Sequence, residues 1–162
     1  MISYEKVRQS LRSWTLIIAW LNVVAIPVKC FSIFSFFLLR NNLDTLKTTY
    51  NAETYRAVVA STHIGNFLLI ILGIIANVLI SFLAFKNLAK IKEDTPNQLP
   101  YLIGIGYTII ANLISIVLNS SLGVTLSIYS FLTPLVFLAL YGYAYYQANK
   151  LLDKDEESNE ES

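Results

Sequence analysis

Between Thr95 and Asn149 the chain runs for 55 consecutive residues without an Asp, Glu, Lys or Arg. As one α-helix rising about 1.5 Å per residue, that stretch would be more than twice as long as the roughly 30 Å hydrocarbon core of a bilayer is thick. A soluble domain has about a quarter of its residues charged and does not contain such a run. The stretch must therefore fold back once. Asn119-Ser-Ser-Leu-Gly123 is short, uncharged and rich in turn formers, so the reversal is expected there. Its two halves read as membrane spans at about 100–119 and 124–146, the first opened by Pro100 in a helical first turn.

Two further apolar runs match this pattern. Ala57 to Phe85 carries no charged side chain and gives a span at about 63–85, and Trp14 to Leu39 gives one at about 14–39. The N-terminal run is too long for the roughly 7–15-residue apolar region of a secretory signal, and no small-x-small cleavage site follows it, so it reads as a retained span. Asn51 can cap a helix leading into the second span, and no Gly or Pro intervenes before Gly65, so that helix is expected to run on unbroken. The acidic segment 150–162 is expected to be a disordered tail. The fold class predicted is all-α: an integral membrane antiparallel four-helix bundle, residues 1–149.

Lysine and arginine set the orientation. An even number of spans places Lys6, Arg8, Arg12, Lys86, Lys90, Lys92, Lys150 and Lys154 on one side, against Arg40, Lys47 and Arg56 on the other. The positive-inside rule then predicts both termini in the cytoplasm of a multi-pass protein of the cell membrane. Tyr141, Tyr143, Tyr145 and Tyr146, with Trp14 and Tyr101, form the expected inner aromatic belt. Richness in Ile, Asn, Lys and Tyr points to a bacterial, AT-rich source.

Polar residues within the spans are the candidates for function. Counted from Trp14, Phe85 and Tyr101, Asn22, Asn77 and Asn112 all lie about 12–17 Å above the inner interface, so three helices bring an amide to one level. Such amides serve either as interhelical glue, worth roughly 0.6 kcal/mol on average, or as a binding site. Lys29 is the one formal charge within any span, and an intramembrane charge marks a functional site by default. No Asp or Glu lies in any span to pair with it. Its options are freed carbonyls, Asn or Ser side chains, lipid phosphate, an anionic substrate, an acid on a partner, or snorkelling to the outer headgroups. Pro27 and Pro134 are expected to kink their helices, Pro27 freeing the carbonyl of Val23. Gly73 and Ala111, each four residues before a polar residue, offer faces for close backbone approach.

Other chemistry is excluded. One histidine (His63) and one cysteine (Cys30) make neither a zinc site nor an internal disulfide. Gly104-Ile-Gly106-Tyr107 resembles the opening of an intramembrane aspartyl protease motif but lacks the aspartate. There is no phosphate loop or pair of carboxylates, so no enzyme, cofactor or nucleic-acid partner is expected. The leading expectation is an accessory subunit of a membrane complex, held to a membrane-protein partner or to itself. The alternative is a small transporter or bacteriocin-immunity-like protein that uses Lys29 and the amides as its site.

Overall fold

The computed structural model describes residues 4–160, with side chains described as far as Asp153. Among the described residues there are six helices and no strand: α1 (Tyr4–Asn41), α2 (Leu43–Thr49), α3 (Ala52–Ser61), α4 (Ile64–Lys92), α5 (Leu99–Ser121) and α6 (Tyr129–Glu160). Three of them, α1, α4 and α5, are long and apolar enough to cross a membrane. Only 17%, 33% and 11% of their most apolar windows is buried within the chain, so most of that apolar surface faces outward. A water-soluble helix shows the reverse arrangement, with its apolar stripe turned to the core.

The remaining long helix differs from expectation at both ends. α6 begins at Tyr129, five residues after the expected Val124. At the end of α5, Gly123 takes a left-handed φ of 69°, while Val124 N–H donates to the Asn119 carbonyl and Gly123 N–H to that of Ser120. This pair of bonds terminates a helix with a reversal that favours glycine. The five residues that follow, three of them β-branched (Val124, Thr125 and Ile128), then run without helical structure until Tyr129. At its other end α6 passes Lys150, where a disordered tail was expected, because Ala148 and Leu151 are fully buried and hold that turn in place.

The connection expected to run unbroken into α4 is interrupted. Asn51 caps α3 as expected, accepting from Thr54 N–H at 2.8 Å. At Thr62–His63 the chain breaks: His63 adopts an extended conformation and its Nδ1 accepts from Gly65 N–H, capping α4. Asn66 reaches back across the break to the Ala60 carbonyl at 2.7 Å. Local side-chain bonds here compete with helix continuation. The lone histidine is thus a helix cap.

The long helices touch in the cyclic order α1, α4, α5, α6 and back to α1. Arg8 grips Asp94 through two short bonds, Nε to Oδ1 at 2.6 Å and Nη2 to Oδ2 at 2.7 Å, and Gln98 bonds Asn149 at the same, proximal, end. Asp94 occupies a left-handed φ of 59°, which its short polar side chain tolerates. The hydrogen bond to Asp94, and then that carboxylate's charge, holds the Arg8 guanidinium above its ordinary pKa. His63, Gly65 and Leu118 mark the opposite, distal end.

Packing is uneven between these ends. The proximal half holds a closed core built on Leu11, Ile18, Ile80, Ile91, Tyr101 and Leu151, none with any exposure. Ala76, Ala84, Ala144 and Ala148 keep α4 and α6 close to their neighbours. Asn87, also buried, donates to the Asn97 carbonyl and the Tyr101 hydroxyl and accepts from Asn97 N–H. Thr15 completes the group by sharing a hydrogen bond with Tyr101. The distal half is hollow by comparison.

Candidate functional site: a cavity between four helices

The sequence-predicted residues converge. Lys29 and Asn22 on α1, Asn77 on α4 and Asn112 on α5 all line one cavity of about 270 Å³, and Pro134 of α6 lines it too. Ala25, Tyr107, Thr108, Thr133, Phe137 and Tyr141 contribute to the same wall. The three amides separate into different roles. Asn22 is satisfied: its Nδ2 donates to the Ile18 carbonyl at 2.8 Å and to the Tyr141 hydroxyl at 2.9 Å. That pair ties α1 to α6 and floors the cavity on its proximal side. Asn77 is buried to 5% exposure, yet its Nδ2 has no hydrogen-bond partner. Asn112 is half-buried at the same cavity.

Lys29 is turned inward. Its Nζ donates to the Tyr107 hydroxyl at 2.9 Å and stands 4.9 Å from the centre of that ring. The ammonium therefore meets a polar acceptor and an aromatic face together, and a desolvated cation gains from both. Gly73 makes this approach possible. A Cβ at that position would collide with Lys29 Nζ and stand 2.5 Å from the Tyr107 hydroxyl. Gly73 thus seats two polar side-chain tips, where the sequence pattern pointed to contact between helix backbones. Pro27 lies within a continuous α1, on an exposed face.

Two residues of the site were not singled out in the sequence. Tyr107 was visible only as the last residue of the glycine-containing segment, and Tyr141 only as part of an aromatic belt. The signal that finds Tyr141 is Gly104: a Cβ there would lie 2.5 Å from Cδ1 and Cε1 of the Tyr141 ring. The glycine lets the ring lie against the α5 backbone, where its hydroxyl reaches Asn22. Gly106, the other glycine of that segment, faces open space.

A second cavity, of about 430 Å³, shares Lys29, Tyr107 and Ala111 with the first and continues distally past Ser61, Asn66, Ser115 and Asn119. The Lys29–Tyr107 pair is thus the common wall of an apolar chamber and a more polar one. Among the described residues no group of three or more His, Cys, Asp or Glu side chains could hold a metal ion. A single ammonium, an unpaired amide and an otherwise apolar lining suit a ligand that offers hydrogen-bond acceptors and negative charge at one end. Comparison with known protein families, with curated proteins and with solved structures finds no match in any of the three.

Proposed function

We propose that this chain is a small integral membrane protein that binds a small acceptor-bearing ligand in the cavity between α1, α4, α5 and α6. In this reading the four long helices form an antiparallel membrane bundle, α6 included, with both termini cytoplasmic and the cavity in the outer half. Its role is binding or transfer, with no catalytic step. The observation that carries the reading is Lys29, whose Nζ is turned onto a cavity that Asn22, Asn77 and Asn112 also line. A subunit bound through Lys29 to a partner's acid has less support, since Nζ is turned to Tyr107 and away from the exposed face of α1.

The test uses purified full-length protein in detergent, its thermal midpoint measured against butanoate, butanol and butylammonium. Butanoate is expected to raise the midpoint, the alcohol and the amine to leave it unchanged. Lys29→Met is expected to abolish the response and Lys29→Arg to keep it. A response to butanoate that is undiminished in Lys29→Met would defeat the assignment. Orientation is tested separately in a Cys30→Ser background. Asn42→Cys and Ser121→Cys should react with an impermeant maleimide on intact cells and Lys92→Cys should not.

A further inference from the structure

The binding reading leaves the ligand's class open, and the surroundings of Lys29 narrow it. Three observations bear on the class. The first is charge: the cavity carries one ammonium and no carboxylate or arginine. A lone lysine acts as a point charge, which balances the single negative charge of a carboxylate and falls short of the roughly −1.5 to −2 of a phosphate monoester. The ligand's charge is therefore best matched as a single carboxylate.

The second is the asymmetry of the two chambers. Distal to Lys29 the wall carries Ser61, Asn66, Ser115 and Asn119. On the other side, apart from the amides and the hydroxyls of Thr108 and Thr133, the lining is aliphatic and aromatic, with Ala25, Phe137 and Pro134 among it. The ammonium stands where the two meet, so a bound molecule has its polar end at Lys29 and its apolar body in the first cavity.

The third is a lateral opening. The hydrogen bonds and ring contacts that join α1 to α6 lie proximally: Ser10 to Tyr143, Trp14 to Tyr143, and Asn22 to Tyr141. Distal to them α6 starts late, at Tyr129, and exposed Thr133 lies on the cavity edge, while exposed Leu21 precedes Asn22 at the level of the floor. A volume of about 270 Å³ is at or below the usual range for sites that enclose a whole drug-sized ligand. A longer apolar tail would have to leave between these two helices.

Together these rest on the binding reading and extend it. We infer that the site takes a membrane-dissolved monocarboxylate amphiphile, of fatty-acid type, which enters between α1 and α6. Its carboxylate lies on Lys29 Nζ, and its chain passes out past Thr133 into the bilayer.

The experiment measures equilibrium binding of radiolabelled butanoate, octanoate and dodecanoate to the full chain in lipid nanodiscs, after subtraction of partition into empty nanodiscs, with dodecanol as the neutral competitor. Affinity is expected to rise with chain length. Lys29→Met is expected to weaken dodecanoate by at least about tenfold, as loss of one charge-assisted contact would. Thr133→Trp, which narrows the rim, should weaken dodecanoate more than butanoate. Equal binding of butanoate and dodecanoate, both lost in Lys29→Met, would overturn the amphiphile while the polar site stands. Loss of dodecanoate in neither Lys29→Met nor Thr133→Trp would overturn it as well. No binding at any chain length would remove both the amphiphile and the site. Competition by dodecanol as strong as by dodecanoate itself would show that the charge is unused and would also overturn the inference.

Discussion

Gly104→Ala against Gly106→Ala is the sharpest check on the packing described above. Both positions lie in α5, and both exchanges remove a flexible glycine from a helix, which by itself stabilises by up to about 1 kcal/mol. Their surroundings are opposite. At Gly106 a Cβ meets nothing within 4 Å, so the helical gain stands alone. At Gly104 it would lie 2.5 Å from two atoms of the Tyr141 ring. That ring is buried to 3% exposure and stacked beside Phe137 at 6.3 Å, so it has little room to retreat. Overpacking of this kind costs about 1–3 kcal/mol. Displacing the ring also breaks the Tyr141–Asn22 bond, which membrane interhelical measurements put at roughly 0.6 and at most about 1.7 kcal/mol. After the helical gain is set against these, Gly104→Ala is expected to lose about 1–3 kcal/mol while Gly106→Ala gains a few tenths to 1. Thermal unfolding in one detergent should separate the two midpoints by on the order of 5–10 °C. Equal midpoints, or a stabilised Gly104→Ala, would refute the seating of Tyr141 on α5.

Four further outcomes follow from individual contacts. Asn77→Leu removes an unpaired buried donor and should be neutral or stabilising by up to about 1–3 kcal/mol, whereas Asn22→Leu, which strands the Tyr141 hydroxyl, should destabilise; thermal midpoints decide, and the reverse order would be contrary. Gly73→Ala should fold near wild-type stability, because the atoms it meets are mostly flexible side-chain tips, yet lose the butanoate response as Lys29 Nζ is displaced. Ala111→Leu, on the wall shared by both cavities, should fill space and gain up to about 2 kcal/mol at roughly 0.8 per buried CH₂ while abolishing binding, read by midpoint and by ligand response together. Arg8 is held protonated more firmly than a free guanidinium, so its contribution is fully present through the ordinary pH range and is lost only in strong alkali, and titration of Arg8 should not move the midpoint between about pH 6 and 9. Arg8→Lys, which cannot make the two-pronged contact, should lower the midpoint across that window.

Much of this arrangement was legible in the sequence because it rests on where charges and amides are absent or isolated. An uncharged run of 55 residues dictates a reversal whatever the details of packing, and Asn119–Gly123 supplies it. Counting from aromatic anchors brought Asn22, Asn77 and Asn112 to one level, and the three do line one cavity with Lys29. What escaped was decided by partners distant in the chain. Nothing local tells that Tyr107 accepts from a lysine 78 residues away, or that Tyr141 rather than water satisfies Asn22. The break at His63 escaped because it depends on side-chain bonds competing with the helix, a choice that apolar periodicity does not register. The late start of α6 escaped as well, since Gly123 fixes the end of α5 but leaves open how far the following residues stay non-helical.

The hollow distal half is the part of the molecule hardest to explain by stability alone. In the membrane arrangement proposed above, burying the Lys29 charge costs about 2.5–3.5 kcal/mol on insertion scales, before its bond to Tyr107 offsets part of that. Leaving the Asn77 amide unpaired costs about 1–3 more. A methylene in place of either would remove the cost, and the proximal half shows that this chain can close its core with Leu, Ile, Ala and fully paired amides. Asn87 is the instructive comparison: an asparagine on the same helix as Asn77, buried as deeply, with its amide bonded on both sides. The two asparagines differ in what faces them. Asn87 faces the turn it organises, and Asn77 lies in the wall of the cavity that also holds the Lys29 ammonium. An occupant that brings acceptor oxygens to that volume would satisfy Asn77, neutralise Lys29 and fill the space in one event, which ties the three unfavourable features to a single cause.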